Sequence, residues 1–189
     1  MSPVVTAVLA LLAEEPMHAY RMQQLIKQRG IDLVVNVRNR SGLYTALERL
    51  CREELIRVQV VERGQRHPER TVYAITEAGR ERLLAGLRDG LASPAADFPA
   101  FPAIVSFMHL LEPADARQHL TQRAATLQAR LDQTDAVLAS SRNARVPRVH
   151  LLEHEYLHCA TIAELAWVRQ TVTDLDSGAL GWETVATGA

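Results

Sequence analysis

Three observations predict a mainly α chain in two parts, the first of which is closed by a basic β-hairpin. Apolar residues recur at three- and four-residue steps over most of the length. Two β-branched runs, Ile56 to Glu62 and Arg70 to Ile75, interrupt that period once. Pro94, Pro99 and Pro102 then fall close together, where no continuous helix can pass. Charge divides at the same place: residues 1–91 hold 14 Lys+Arg against 11 Asp+Glu, net +3, and the remainder 7 against 11, net −4. With 189 residues, 48% hydrophobic and 23% charged, the chain can form one good-sized core or two small ones and is unlike an unfolded tail.

Each element follows from its residues. Val4, Val5, Val8, Leu9, Leu11 and Leu12 predict a short helix buried on most sides, stopped at Glu15-Pro16 because a residue before proline avoids helical angles. A second helix is expected from Met17 or His18 to Arg29, with Met22, Leu25 and Ile26 inward and Gly30 as its stop. Ser41 is expected to cap a third, with Leu43, Ala46, Leu47 and Leu50 inward and Tyr44, Thr45, Glu48, Arg49 and Arg52 outward. The two strands follow around the basic tip Arg63 to Glu69, and Thr76 caps a fourth helix through about Leu91. Three helices, a hairpin and a helix in that order make a winged helix-turn-helix domain, residues 1–91. A Pro-rich linker, 92–102, leads to an all-helical dimerisation domain, 103–189.

In that second domain Phe101 to Leu111 reads as one short helix, and Pro113 suits the first turn of a long one. Its residues Leu120, Ala124, Leu127, Leu131, Thr134 and Leu138 alternate steps of four and three, a seam that wants a partner helix. A last helix from about Pro147 to Asp176 carries two apolar stripes. Leu151, His158, Ile162, Leu165 and Val172 form one, and Leu152, Tyr156, Cys159, Ala163 and Ala166 lie beside it. Leu120, Leu127, Leu131, Leu151, His158, Ile162, Leu165 and Val172 are accordingly the expected dimer interface.

Several function classes are disfavoured at once. Cys51 and Cys159 belong to no paired spacing, so a disulfide framework or zinc ribbon is not expected and a reducing cytoplasm fits. Val4 to Ala13 lacks a basic flank and runs into Glu14-Glu15, unlike a secretory signal, and nothing approaches 18 consecutive apolar residues. A net charge of −1 means that any nucleic acid must be met by a local patch.

Pro16-Met17-His18-Ala19-Tyr20, Gly42 through Leu50, Glu54-Leu55-Ile56 and Tyr73 through Arg80 resemble, in order and spacing, the PadR family of transcriptional regulators. Leu151 to Glu155 and Glu164 to Arg169 are similar to the virulence-activator-type C-terminal domain of one branch of that family. The resemblance implies a homodimeric, cytoplasmic DNA-binding regulator, usually a repressor, whose C-terminal helices make the dimer. The chain departs from the family pattern at Ala19, Ser41-Gly42, Thr45 and Glu54, where Gly, Gly-Thr, Pro and Gly are more usual.

A helix entering the major groove needs donors on its outer face near its N-terminus. Arg38, Asn39, Arg40, Ser41, Tyr44, Thr45 and Arg49 supply them; a solvated helix face would look the same by spacing, and the resemblance favours DNA. Arg63 and Arg66 suit phosphate or minor groove at the hairpin tip, with Arg70 and His67 as weaker candidates, and the Tyr20 hydroxyl suits a phosphate. His154-Glu155-Tyr156-Leu157-His158 matches H-E-x-x-H, a helical zinc motif with the glutamate as general base. The nearest third ligand, His150, lies about 12 Å from His158 along the same helix, too far to converge on one ion. A zinc hydrolase or helical interaction protein is thus the alternative, and no metal, cofactor or catalytic residue is expected. Phe101, Tyr156 and Trp167 would line a cavity for a small hydrophobic or aromatic effector, against a default of core and dimer packing. The sequence reading is a regulator that binds a near-palindromic double-stranded operator as a homodimer.

Overall fold

The computed structural model describes residues 1–35, 40–64, 67–94 and 99–182. Two compact units divide the chain, Met1–Ala96 and Asp97–Ala189.

In the first unit, α1 (Pro3–Glu14) starts on Ser2, whose side chain accepts from the Val5 amide, and it stops where Glu15 turns extended ahead of Pro16. The second helix starts later than expected. Met17–His18 form a short strand, β1, paired with Tyr73 and Val72, and α2 (Ala19–Gln28) begins behind them with His18 Nδ1 accepting from the Arg21 amide at 3.0 Å. Gly30, at φ 70°, ends that segment in the left-handed region and leads into a 3-10 turn, Ile31–Leu33. Helix α3 (Arg40–Arg52) already includes Ser41, which is therefore inside the helix and not its cap.

The hairpin is longer than its β-branched runs indicated. Strands β2 (Ile56–Gly64) and β3 (His67–Ile75) are antiparallel and pair as far out as Gly64 with His67. Pro68 lies within β3, outside the stretch that β1 covers at Val72 and Tyr73. Helix α4 (Glu77–Ala92) follows, capped by Thr76 as expected. One core joins these elements: Val8, Leu9, Met22, Ile26, Leu43, Leu47, Leu50 and Ile56 are all at most 2% exposed.

Glu54, which closes the exit turn of α3, stands at φ 57°. A side chain there costs about 1 kcal/mol relative to glycine. Glu54→Gly should therefore raise the melting point of this unit by several degrees, read by circular dichroism; a lower melting point would show that Glu54 makes up the strain elsewhere.

The second unit opens with α5 (Ala100–Ser106) and a separate 3-10 turn, Met108–Leu110, where one helix was expected. Pro102 fits because it lies in the first turn of α5, and the helix thus starts inside the segment read as linker. The long α6 (Pro113–Asn143) and α7 (Leu152–Ser177) form a pair, with the residues before α7 in a 3-10 turn, Arg148–His150, and not in the helix itself. Leu120, Leu127, Leu131, Leu165 and Val168 are buried against one another, with Phe101, Met108 and Val172 packed around them. Within one chain the Leu120 to Leu138 seam of α6 packs on α7. Leu151 is likewise buried within the chain, whereas Ile162 is 47% exposed.

Candidate nucleic-acid interface

Helix α3 buries Leu43, Ala46, Leu47 and Leu50 and turns Tyr44, Thr45, Glu48, Arg49 and Arg52 to the surface. At about 100° per residue, positions 41, 45, 48 and 52 run down the centre of the outward face, opposite those apolar residues. Tyr44 and Arg49 flank it. Arg49 is not free: its Nε donates to Glu53 Oε1 at 2.7 Å, one turn on. Such an exposed pair is worth about 0–1 kcal/mol, so a base or phosphate can displace Glu53 at little cost.

Three of the residues expected to touch DNA, Arg38, Asn39 and Arg66, lie outside the described residues. Arg40 and Ser41 occupy the first turn of α3, and Arg63 the outer end of β2. Tyr20, in the first turn of α2, is 60% exposed, with its ring 6.3 Å from that of His18. Sequence reasoning placed Glu48 and Arg52 outward but chose neither as a site residue, although the steps of four and three from position 41 reach both. Behind the helix, Tyr73 of β3 lies near Cys51, Tyr44 and Glu48; burial first, then the charge of these neighbours, pushes its phenol up. Cys51 is also pushed up by burial, which makes it a poor nucleophile at neutral pH.

The exit turn of α3 is anchored to α4. The Thr76 hydroxyl donates to the carbonyls of Glu54 at 2.8 Å and Leu55 at 3.0 Å, and its oxygen accepts from the Gly79 amide at 3.1 Å. Helix α3 is thereby fixed against both the hairpin and α4.

In the second unit, the Arg123 guanidinium lies 3.4 Å over the Phe101 ring and pairs with Glu164. Phe101 meets Trp167 edge-on at 5.8 Å between centroids. Beside them α5, the turn after it and α6 enclose an open apolar groove of about 690 Å³, lined by Phe101, Ile104, Phe107, Met108, Leu111 and Leu120. Tyr156 does not join this group: it stands eleven residues before Trp167 on α7, about 16 Å along the axis, and is 73% exposed. The H-E-x-x-H residues do not face one opening either. His154 is buried, Glu155 is held by Arg148 at 2.9 Å, and His158 Nε2 meets Asp135 at 3.0 Å. Among the described residues no group of three or more His, Cys, Asp or Glu is placed to hold a metal ion, and no helix is long and apolar enough to cross a membrane.

Three helices, the hairpin and α4 give the first unit a winged-helix fold with an exposed polar face on α3. Residues 8–85 match the model of the transcriptional regulator PadR-like family. No curated protein matches the chain. Among solved structures, Bacillus subtilis PadR in complex with operator DNA is similar at a TM-score of 0.75, with 18% identity over 93% of this chain and 98% of that one. The same protein with p-coumaric acid gives 0.69, with 16% identity over 92% and 96%. The PadR-like regulator BC1756 from Bacillus cereus gives 0.64, with 15% identity over 93% and 99%. The family match is thus confined to the first unit, and the solved structures share the fold, a winged-helix first unit and a helical second one.

Proposed function

We propose that the protein is a cytoplasmic, sequence-specific transcriptional repressor that binds a near-palindromic operator as a homodimer, α3 entering the major groove and the hairpin tip resting on phosphates or in the minor groove. The observation that carries this reading is the polar outward face of α3, backed by a buried apolar face and anchored between the hairpin and α4. The operator complex of the B. subtilis protein supports it. Apolar side chains that the second unit leaves exposed support the dimer: Ile104, Phe107 and Leu110 after the first unit, Leu152, Ile162 and Trp167 on α7. His158 and Val172, also proposed for the interface, lie nearer α6: His158 faces Asp135 and Val172 packs on the core of this unit.

A small hydrophobic or aromatic effector seated in the groove beside Phe101 would release the operator by favouring a dimer whose helices no longer match the groove spacing. The p-coumaric acid complex of the B. subtilis protein supports that chemical class. Linkage then requires operator DNA to weaken effector binding by the same factor.

Selection of bound sites from a random DNA pool, followed by anisotropy titrations at several salt concentrations, tests the reading. Arg66→Ala should weaken operator and random DNA alike and lower the salt slope by about one. Arg40→Ala or Arg49→Ala should cost operator affinity far more than random-DNA affinity in at least one case, because a bidentate contact to guanine discriminates by about 1 to 3 kcal/mol. Equal losses on both DNAs for both helix variants, with a loss on the operator alone for Arg66→Ala, would reverse the assignment of reading to the helix and anchoring to the tip.

A further inference from the structure

We propose that Glu48 is a base-reading residue that selects a cytosine in each half of the operator through the cytosine N4 amino group. The inference rests on the reading of α3 as the recognition helix and adds which residue sets its specificity.

Glu48 lies centrally on the outward stripe of α3, between Thr45 one turn before it and Arg52 one turn after it. Its carboxylate makes no hydrogen bond or ion pair among the described residues, while Arg49 beside it is already engaged by Glu53. An uncompensated negative charge at the centre of a surface that approaches phosphates opposes binding to every sequence. It ceases to do so only where the DNA offers a donor. A carboxylate accepts and cannot donate, so it cannot hydrogen-bond the O6 and N7 of guanine or the O4 of thymine. Two exocyclic amino groups remain in the major groove. Adenine N6 sits beside the N7 acceptor, which suits an amide better than a carboxylate, whereas cytosine presents N4 alone. Glu48 is eight residues from Arg40, about 12 Å along the axis, which is comparable to the width of the groove. The residue thus adds specificity mainly by rejecting other bases, a repulsive element beside the attraction of the arginines.

The test uses the full chain, with random-pool selection by the unaltered protein, Glu48→Ala and Glu48→Gln, and titration of the selected sites. The unaltered protein should select one cytosine–guanine pair per half-site whose replacement weakens binding about five- to hundredfold. Glu48→Ala should lose the preference at that pair alone and bind random DNA as tightly or a few times more tightly. Glu48→Gln should move the preference there towards adenine. Unchanged melting curves are expected, since no partner is lost. If Glu48→Ala selects the same base at every position as the unaltered protein, the inference falls; the recognition-helix reading survives provided Arg40→Ala or Arg49→Ala changes the selected site. If the unaltered protein selects no sequence, that reading falls and the inference with it.

Discussion

Gly79→Ala is expected to destabilise the DNA-binding unit by about 3 kcal/mol, lowering its melting point by on the order of 10–20 °C and removing operator binding near body temperature. A Cβ at this position would overlap the Leu55 carbonyl oxygen and stand 2.9 Å from Ile75 Cγ1. Neither atom belongs to a flexible side-chain end. The Leu55 carbonyl is held by the Thr76 amide at 3.1 Å and the Thr76 hydroxyl at 3.0 Å, and Leu55 in turn donates to Leu50 in the last turn of α3. Relief of the overlap would lift α4 from the exit turn of α3 and loosen the element expected to read DNA. Gly90→Ala is the control. Nothing lies within 4 Å of a Cβ there, and it sits inside α4, so alanine should stabilise by up to about 1 kcal/mol through helix propensity. Equal melting points for the two variants would mean that the contact between Gly79 and Leu55 is not rigid.

What was legible in the sequence were the features carried by local chemistry. The periodicity of Leu43, Ala46, Leu47 and Leu50 located α3 and its inner face, and Thr76 marked the start of α4 through a hydroxyl that caps it. Features set by a distant partner were not legible. Met17 and His18 continue the pattern of α2, but Tyr73 and Val72 draw them into the sheet. Arg63 to Glu69 read as a basic tip, yet the pairing of Gly64 with His67 carries both strands into it. The same holds in the candidate site. Exposure of Arg49 followed from helical spacing; its pair with Glu53 depends on which rotamers meet one turn on. Phe101, Tyr156 and Trp167 were grouped by residue type, and only the packing of α5 on the α6–α7 pair separates Tyr156 from the others. Periodicity showed that the Leu120 to Leu138 seam must be covered. It could not say whether the covering helix belongs to the same chain, because a heptad-like stripe is equally satisfied by either.

That distinction gives the second large effect. Leu165→Asp is expected to unfold the second unit, with loss of most of its helical signal, whatever the protein concentration. Leu165 is 3% exposed and sits among Leu120, Leu127, Leu131 and Val168, so an aspartate there is buried without a partner. A penalty of about 4 kcal/mol or more is a large part of what a small core of this kind supplies. Ile162→Asp, nearly one turn earlier on α7 and 47% exposed, should behave differently. Helicity should be kept while dimer dissociation moves to higher concentration, since the charge then enters the surface proposed to meet a second copy and not the contact between α6 and α7. Circular dichroism and sedimentation over a range of concentrations separate the two. A folded monomer from Leu165→Asp together with an unaltered dimer from Ile162→Asp would return Leu165 to the subunit interface and show that α7 in one chain does not satisfy the leucine seam of α6.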